Sequence, residues 1–215
     1  MSTAQKRTSA SPERDVRIPQ QARSRRTRER VLEAATECFE RHGYDDTTTA
    51  MIAGRAGIGV GTLYSYFRDK REILLELLVR VGDQLGEVVG SRLDPEAWRG
   101  GHPAQHARNL IDAVFHLQTL RPGMQRVLWE RYFKDPDFHE PMEEVREGLR
   151  ATVEQFARAV DPALLREGLD LRAASLTVVN AVQWNALHAF IHGSKEQIAT
   201  AARATADMVE RYLFR

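Results

Sequence analysis

Cysteine is almost missing from this chain: Cys38 is the only one in 215 residues. A single cysteine excludes an intramolecular disulfide and any cysteine-based metal cluster. Its position in "AATECFE", on a helical apolar pattern, marks it as core. The opening "MSTAQKRTSASPERD" lacks the apolar stretch of a signal peptide. The longest segment without a formal charge, Ala173 to Ser194, is long enough to cross a bilayer but carries Asn180, Gln183, Asn185, His188 and His192. That is too polar for a lipid-facing span, so the expected location is the cytoplasm. No Ser-His-Asp or Cys-His arrangement stands out, and no paired carboxylates have a catalytic context. The acidic run "DPDFHEPMEEVREG" (Asp135, Asp137, Glu140, Glu143, Glu144) reads as a solvated helix start. Enzymatic activity, a cofactor and a metal centre are therefore not expected.

What is present suits a soluble globular protein with a real core: 42% hydrophobic and 28% charged residues. The net charge of +1 conceals an asymmetry. Residues 1–30 hold nine Lys/Arg against three acidic residues, a net +6 that leaves −5 on the rest. A positive head on a mildly acidic body points to a polyanion at one end. Residues 1–21 are polar without apolar periodicity and are expected to be disordered. From Arg25 onward the apolar residues recur at helical spacing, and nothing reads as strand, turn and strand. The expected fold is all-α: a three-helix N-terminal unit over 22–70, then a larger helical bundle over 71–215. Helical patterns are expected at about 105–120, 122–133, 137–160, 169–192 and 195–213, with a loop at 91–104.

The stretch "GIGVGTLYSYFRDK", Gly57 to Lys70, looks at first like a phosphate loop. The ATPase loop requires a Lys before the Ser/Thr, and none precedes Thr62. The dinucleotide pattern requires G-x-G-x-x-G after a strand, but Gly61 comes one residue too soon and the preceding "TAMIAGRA" is helical. A helix, a turn at Gly57 to Gly59 and a second short helix describe a helix-turn-helix. Leu63 and Phe67, four apart, would pack inward on Ile52 and Phe39. Gly61, Thr62 and Ser65 then face outward between Tyr64 and Tyr66. Small and hydroxyl side chains let a helix settle into the major groove, while Tyr and Lys hold phosphates.

Arg28 to Leu75, "RERVLEAATECFERHGYDDTTTAMIAGRAGIGVGTLYSYFRDKREILL", resembles the DNA-binding region of TetR-family transcriptional regulators. The resemblance implies a homodimer that binds a pseudo-palindromic double-stranded DNA operator, most simply as a repressor released by a small-molecule effector. It places Thr49 near phosphate, Thr62, Ser65 and Tyr66 toward the groove, and Tyr64 and Lys70 on the backbone. Val60 and Gly61 belong to the same surface. Gly59, Val60 and Ala50 depart from the polar or basic residues frequent at these positions, leaving readout to few side chains. Arg23, Arg25, Arg26 and Arg28 are read as an arm toward the minor groove or backbone, in preference to a basic helix start. The competing class is a helical ligand-binding or interaction protein without sequence-specific readout.

In the bundle, the resemblance implies that the last two helices pair across a two-fold axis. It also implies an effector pocket, for which Phe115, Trp129, Phe133, Phe138, Phe156, Asn180 and Trp184 are the candidates. Asn180, Gln183 and Asn185 could orient a ligand or pair across the dimer. His188 and His192 stand at a metal-capable spacing but read more simply as a surface or interface pair. Gly82, Gly86 and Gly90 line one side of the helix joining the two parts, a row that suits either close helix packing or a locally flexible segment where that helix could shift.

Overall fold

A computed structural model describes residues 20–99, 102–119 and 121–215. Nearly all of the expected disordered tail lies outside the described residues; its last two positions already belong to a helix. Among the described residues the fold is all helical, with one isolated bridge between Leu165 and Phe214, and no helix is long and apolar enough to cross a membrane.

The N-terminal unit is α1 (Gln20–Asp46), α2 (Thr49–Ala56) and α3 (Val60–Tyr64), followed by the long α4 (Lys70–Gly90). Helical geometry in α1 breaks at Gly43, whose φ of 75° is open to glycine at little cost. Thr48 caps α2 by accepting from Met51 N, and Asp69 caps α4 by accepting from Glu72 N. Val31, Ala35 and Phe39 of α1, Ile52 of α2, Leu63 of α3, and Phe67 meet in one core with Ile73, Leu74 and Leu78 of α4. Each of these side chains larger than alanine contributes about 1.5–3 kcal/mol by leaving water.

The bundle comprises α5 (Pro95–Arg99), α6 (Pro103–Thr119), α7 (Pro122–Lys134), α8 (His139–Ala159), α9 (Leu171–His192) and α10 (Lys195–Leu213), with short 3-10 turns at Pro136–Phe138 and Pro162–Leu164. Its core joins Val89 of α4 to Ile111 and Phe115 of α6, Leu149 and Phe156 of α8, Val178 and Ala186 of α9, and Ala206 and Val209 of α10. The N-terminal core does not stop at residue 70. Met124, Val127 and Leu128 of α7, with Phe138 and Met142, pack into it. Ion pairs follow the same seam: Arg121 to Glu33 and Glu40, Arg71 to Asp135 and Asp137, and Arg131 to Asp45.

Two expectations need correction. The segment 91–104 is not simply a loop: it contains α5, and Trp98 on it is 2% exposed. The indole donates to Arg92 O at 3.0 Å and packs against His106, Phe156 and Phe214. The glycine row on α4 is not uniform either. A Cβ at Gly82 would lie 2.8 Å from both Cγ atoms of Val145 on α8, whereas one at Gly86 or Gly90 would meet nothing within 4 Å. Close packing of α4 on α8 therefore depends on Gly82.

Trp98→Ala should lower stability by about 3–5 kcal/mol, read from the urea midpoint. Gly86→Ala should raise stability by up to about 1 kcal/mol through helix propensity. Gly82→Ala should instead lower it by about 1–3 kcal/mol, because the stiff valine has to give way. Equal effects at the two glycines would refute the close-approach argument.

Candidate nucleic-acid interface and ligand cavity

The turn between α2 and α3 rests on Gly57, whose φ of 63° is left-handed and whose N–H returns to Ala53 O and Gly54 O. Arg30 of α1 holds this turn from below, donating to Ala56 O and, at 3.2 Å, to Gly57 O. A Cβ at Gly57 would lie 3.1 Å from that guanidinium. Leu63 and Phe67 are buried as expected, while Val60, Gly61, Thr62, Tyr64 and Ser65 are exposed and Tyr66 is half-buried. Thr49 and Tyr64, fifteen residues apart, meet at 3.0 Å between hydroxyls. Ser65 Oγ donates back to Thr62 O at 2.6 Å.

Arg25 and Arg26 lie exposed on the first turns of α1, so this segment is a helix and not an extended arm. Arg23, Arg26 and Arg30 nevertheless line one open groove of about 940 Å³ whose other wall carries Thr62 and Tyr66. Arg28 is engaged elsewhere: it pairs with Glu76, donates to Tyr66 O and lies 4.4 Å over the Phe67 ring.

Lys70 is placed differently from the expected phosphate grip. Its ammonium donates to the carbonyls of Tyr44, Asp45 and Thr47 at 2.7, 3.0 and 2.8 Å. An ammonium has three N–H groups, and all three are used. The same nitrogen sits 4.5 Å over the Tyr44 ring, and Arg131 of α7 lies 4.8 Å from that ring. Burial pushes the Tyr44 phenol above its usual pKa.

The seven side chains expected around an effector do not converge. Phe138 is buried in the N-terminal core. Phe156 packs on Trp98, and Phe115 on Phe190. Trp129, Phe133 and Trp184 form a separate aromatic group with centroids 5.1–6.3 Å apart, in which Phe133 is 64% exposed. Asn180 accepts from Arg146 Nη2 at 2.8 Å. Arg146 and Arg150 both reach Glu143, as does the Tyr132 hydroxyl, and the Nε atoms of both arginines are buried without a partner. Burial works to raise the Glu143 carboxyl, but Arg150, Arg146 and Tyr132 outweigh it and hold it below the usual range. Glu143 is thus part of a packed network and not of a solvated helix start.

A half-open apolar space lies elsewhere, between α4, α6, α8 and α9. It is a cavity of about 60 Å³ walled by residues such as Leu85, Ile111, Leu149 and Val182, with Gln118 and Gln183 as its only polar side chains. The sequence signal for it is the valine set Val178, Val179 and Val182 on α9. Among the described residues no group of His, Cys, Asp or Glu could hold a metal; the His192 side chain lies outside the described residues.

Lys70→Met should destabilise the chain by about 1–3 kcal/mol, because three carbonyls lose their donor. Tyr64→Phe should stay within about 0.5 kcal/mol of wild type. Urea unfolding of the two variants distinguishes a structural Lys70 from a purely surface one.

Residues 31–77 match the model of bacterial regulatory proteins, tetR family. The regulator BetI of Escherichia coli is 30% identical over 115 residues, covering 54% of this chain and 57% of that protein. The chain spans between about a third and somewhat over half of the curated relatives it matches. A TetR-family structure from Mesorhizobium loti superposes with a TM-score of 0.74 at 20% identity, over 90% of this chain and 99% of that one. SmeT, the repressor of a Stenotrophomonas maltophilia multidrug efflux pump, does so at 0.68 and 21% identity, over 87% and 90%. The helix-turn-helix thus lies in the region that matches the tetR-family model, and the chain shares the fold of these structures through the bundle.

Proposed function

We propose that this protein is a ligand-responsive, DNA-binding repressor that acts as a homodimer on a pseudo-palindromic operator. The observation that carries the reading is the groove in which Arg23, Arg26 and Arg30 face Thr62 and Tyr66, beside the exposed Val60–Ser65 surface. Arginines at a groove wall neutralise phosphates, and the small exposed side chains of α3 permit close approach to base edges. Thr49, Tyr64 and Ser65 complete the contact surface, with Arg25 at its edge. Lys70 contributes by fixing the end of α1 against α2, so its effect on DNA is indirect. A chromosomal partner implies a cytoplasmic protein, and repression is the role of SmeT, which shares the fold.

Dimerisation through α9 and α10 is supported by apolar side chains left outside the core. Leu176, Trp184 and Ile191 of α9 and Met208 and Tyr212 of α10 are exposed. Spacings of eight and seven put the first three on one helix face. Between the two helices runs a groove of about 520 Å³ lined by Ala201, Ala204 and Met208. A second copy would cover this face and set two α3 helices on one side of the duplex.

Effector response is assigned to the apolar cavity. Leu85 and Val89 of α4 form part of its wall, and α4 is tied to α1 by Arg80 with Glu29 and by Glu76 with Arg28. A ligand that spreads the cavity displaces α4, and with it the N-terminal unit. The coupling needed is about 1–3 kcal/mol.

Random duplex DNA selected by the protein at about 0.15 M salt should enrich an inverted repeat. Arg26→Ala should weaken binding about equally on all sequences, whereas Thr62→Val should change the preferred bases. Failure to enrich any motif would favour a helical ligand-binding protein without sequence-specific readout. Leu176→Asp with Ile191→Asp should convert a dimer to a monomer in sedimentation; an unchanged dimer would place the interface elsewhere.

A further inference from the structure

The cavity wall limits what can occupy it. Ten of its twelve lining side chains are Val, Leu or Ile, and the other two are the amides of Gln118 and Gln183. None of the twelve is charged, and none is aromatic. The Gln183 Oε1 atom is buried with no hydrogen-bond partner. A buried acceptor without a donor is costly, and a bound group that donates to it recovers that cost.

Nearby charges do not change this picture. Asn180, one turn before Gln183 on α9, already receives Arg146, whose other terminal nitrogen is held by Glu143. Arg150 is divided between Glu143 and Glu147. A carboxylate in the cavity would exchange much of its water for aliphatic carbon with no cation in the wall, and an ammonium would find no carboxylate there. Branched aliphatic walls also offer no ring for an aromatic ligand to stack on.

We propose that the cavity takes a neutral, mostly aliphatic molecule with one hydroxyl or amide group, and that Gln183 is the residue that selects it. This rests on reading the cavity as the effector site. At about 60 Å³ the space holds roughly two waters. A ligand longer than a few carbons therefore opens it, and the wall provided by α4 gives way with the rest. A hydroxyl can both donate and accept, so it satisfies either face of the Gln183 amide.

The test uses the full chain with 1-hexanol, hexanamide and hexanoate, read by calorimetric titration and by the thermal unfolding midpoint. Hexanol and hexanamide should bind saturably and raise the midpoint, and hexanoate should do neither. Gln183→Met, close in shape, should weaken hexanol about tenfold. Val182→Trp, which fills the cavity, should abolish binding. Hexanoate binding as tightly as hexanol, or Gln183→Met binding hexanol like wild type, would overturn the ligand class while the block by Val182→Trp preserved the site. No binding by any probe, or binding that survives Val182→Trp, would overturn the effector-site reading as well. Should Gln183→Met fail to fold, the order of the three probes on wild type decides the matter.

Discussion

The end of α1 would be an unfinished helix terminus without Lys70. Its last carbonyls point away from any helical continuation, because Gly43 has already turned the chain. Lys70, at the first position of α4, reaches back 23 to 26 residues to the carbonyls of Tyr44 and Asp45 in α1 and of Thr47 just beyond it. Tyr44 lies between this ammonium and the Arg131 guanidinium. One aromatic ring therefore joins α1, α4 and α7. Thr47, fully buried, extends the junction by donating to the carbonyls of Cys38 and Gly43. The position of α2, and so of the whole helix-turn-helix, follows from where this junction holds the chain.

The junction also explains why the two halves of the molecule do not separate cleanly. A boundary at residue 70 falls at the lysine that ties them together, and the α7 side chains Met124, Val127 and Leu128 complete the core begun by α1. Exposed ion pairs are individually weak. The seam instead derives its strength from buried side chains, with the arginines fixing its register. Motion in the bundle consequently reaches the N-terminal unit by two routes, through the length of α4 and through α7.

The helix-turn-helix was legible in sequence because each of its requirements is local. Leu63 and Phe67 are spaced to face inward, Gly57 supplies the left-handed turn, and Thr48 and Asp69 are capping residues in reach of their own helices. What escaped notice depends on partners far along the chain. Trp98 sits among Pro, Gly and charged residues on a helix too short to display periodicity, and its neighbours Phe156 and Phe214 are distant in sequence. Lys70 has a charge that suits phosphate, and nothing within its own helix reveals that carbonyls are nearer. The aromatic residues share a composition signal but not a place, because large rings fill space in separate parts of the fold. The apolar cavity between α4, α6, α8 and α9 is bounded by branched aliphatic side chains, and such residues look like ordinary core until the helices are assembled.

Cys38 is buried beside Thr47 and Phe39, and burial pushes its thiol above the usual range. A protonated thiol out of solvent is a poor nucleophile. It becomes reactive only when the core between α1 and α2 opens. The native chain thus contains its own reporter: the rate at which a thiol reagent labels Cys38 measures how often that core opens, with no engineered label. Because no other cysteine competes, a second one introduced anywhere on the surface would be modified first, leaving Cys38 to record the slower event.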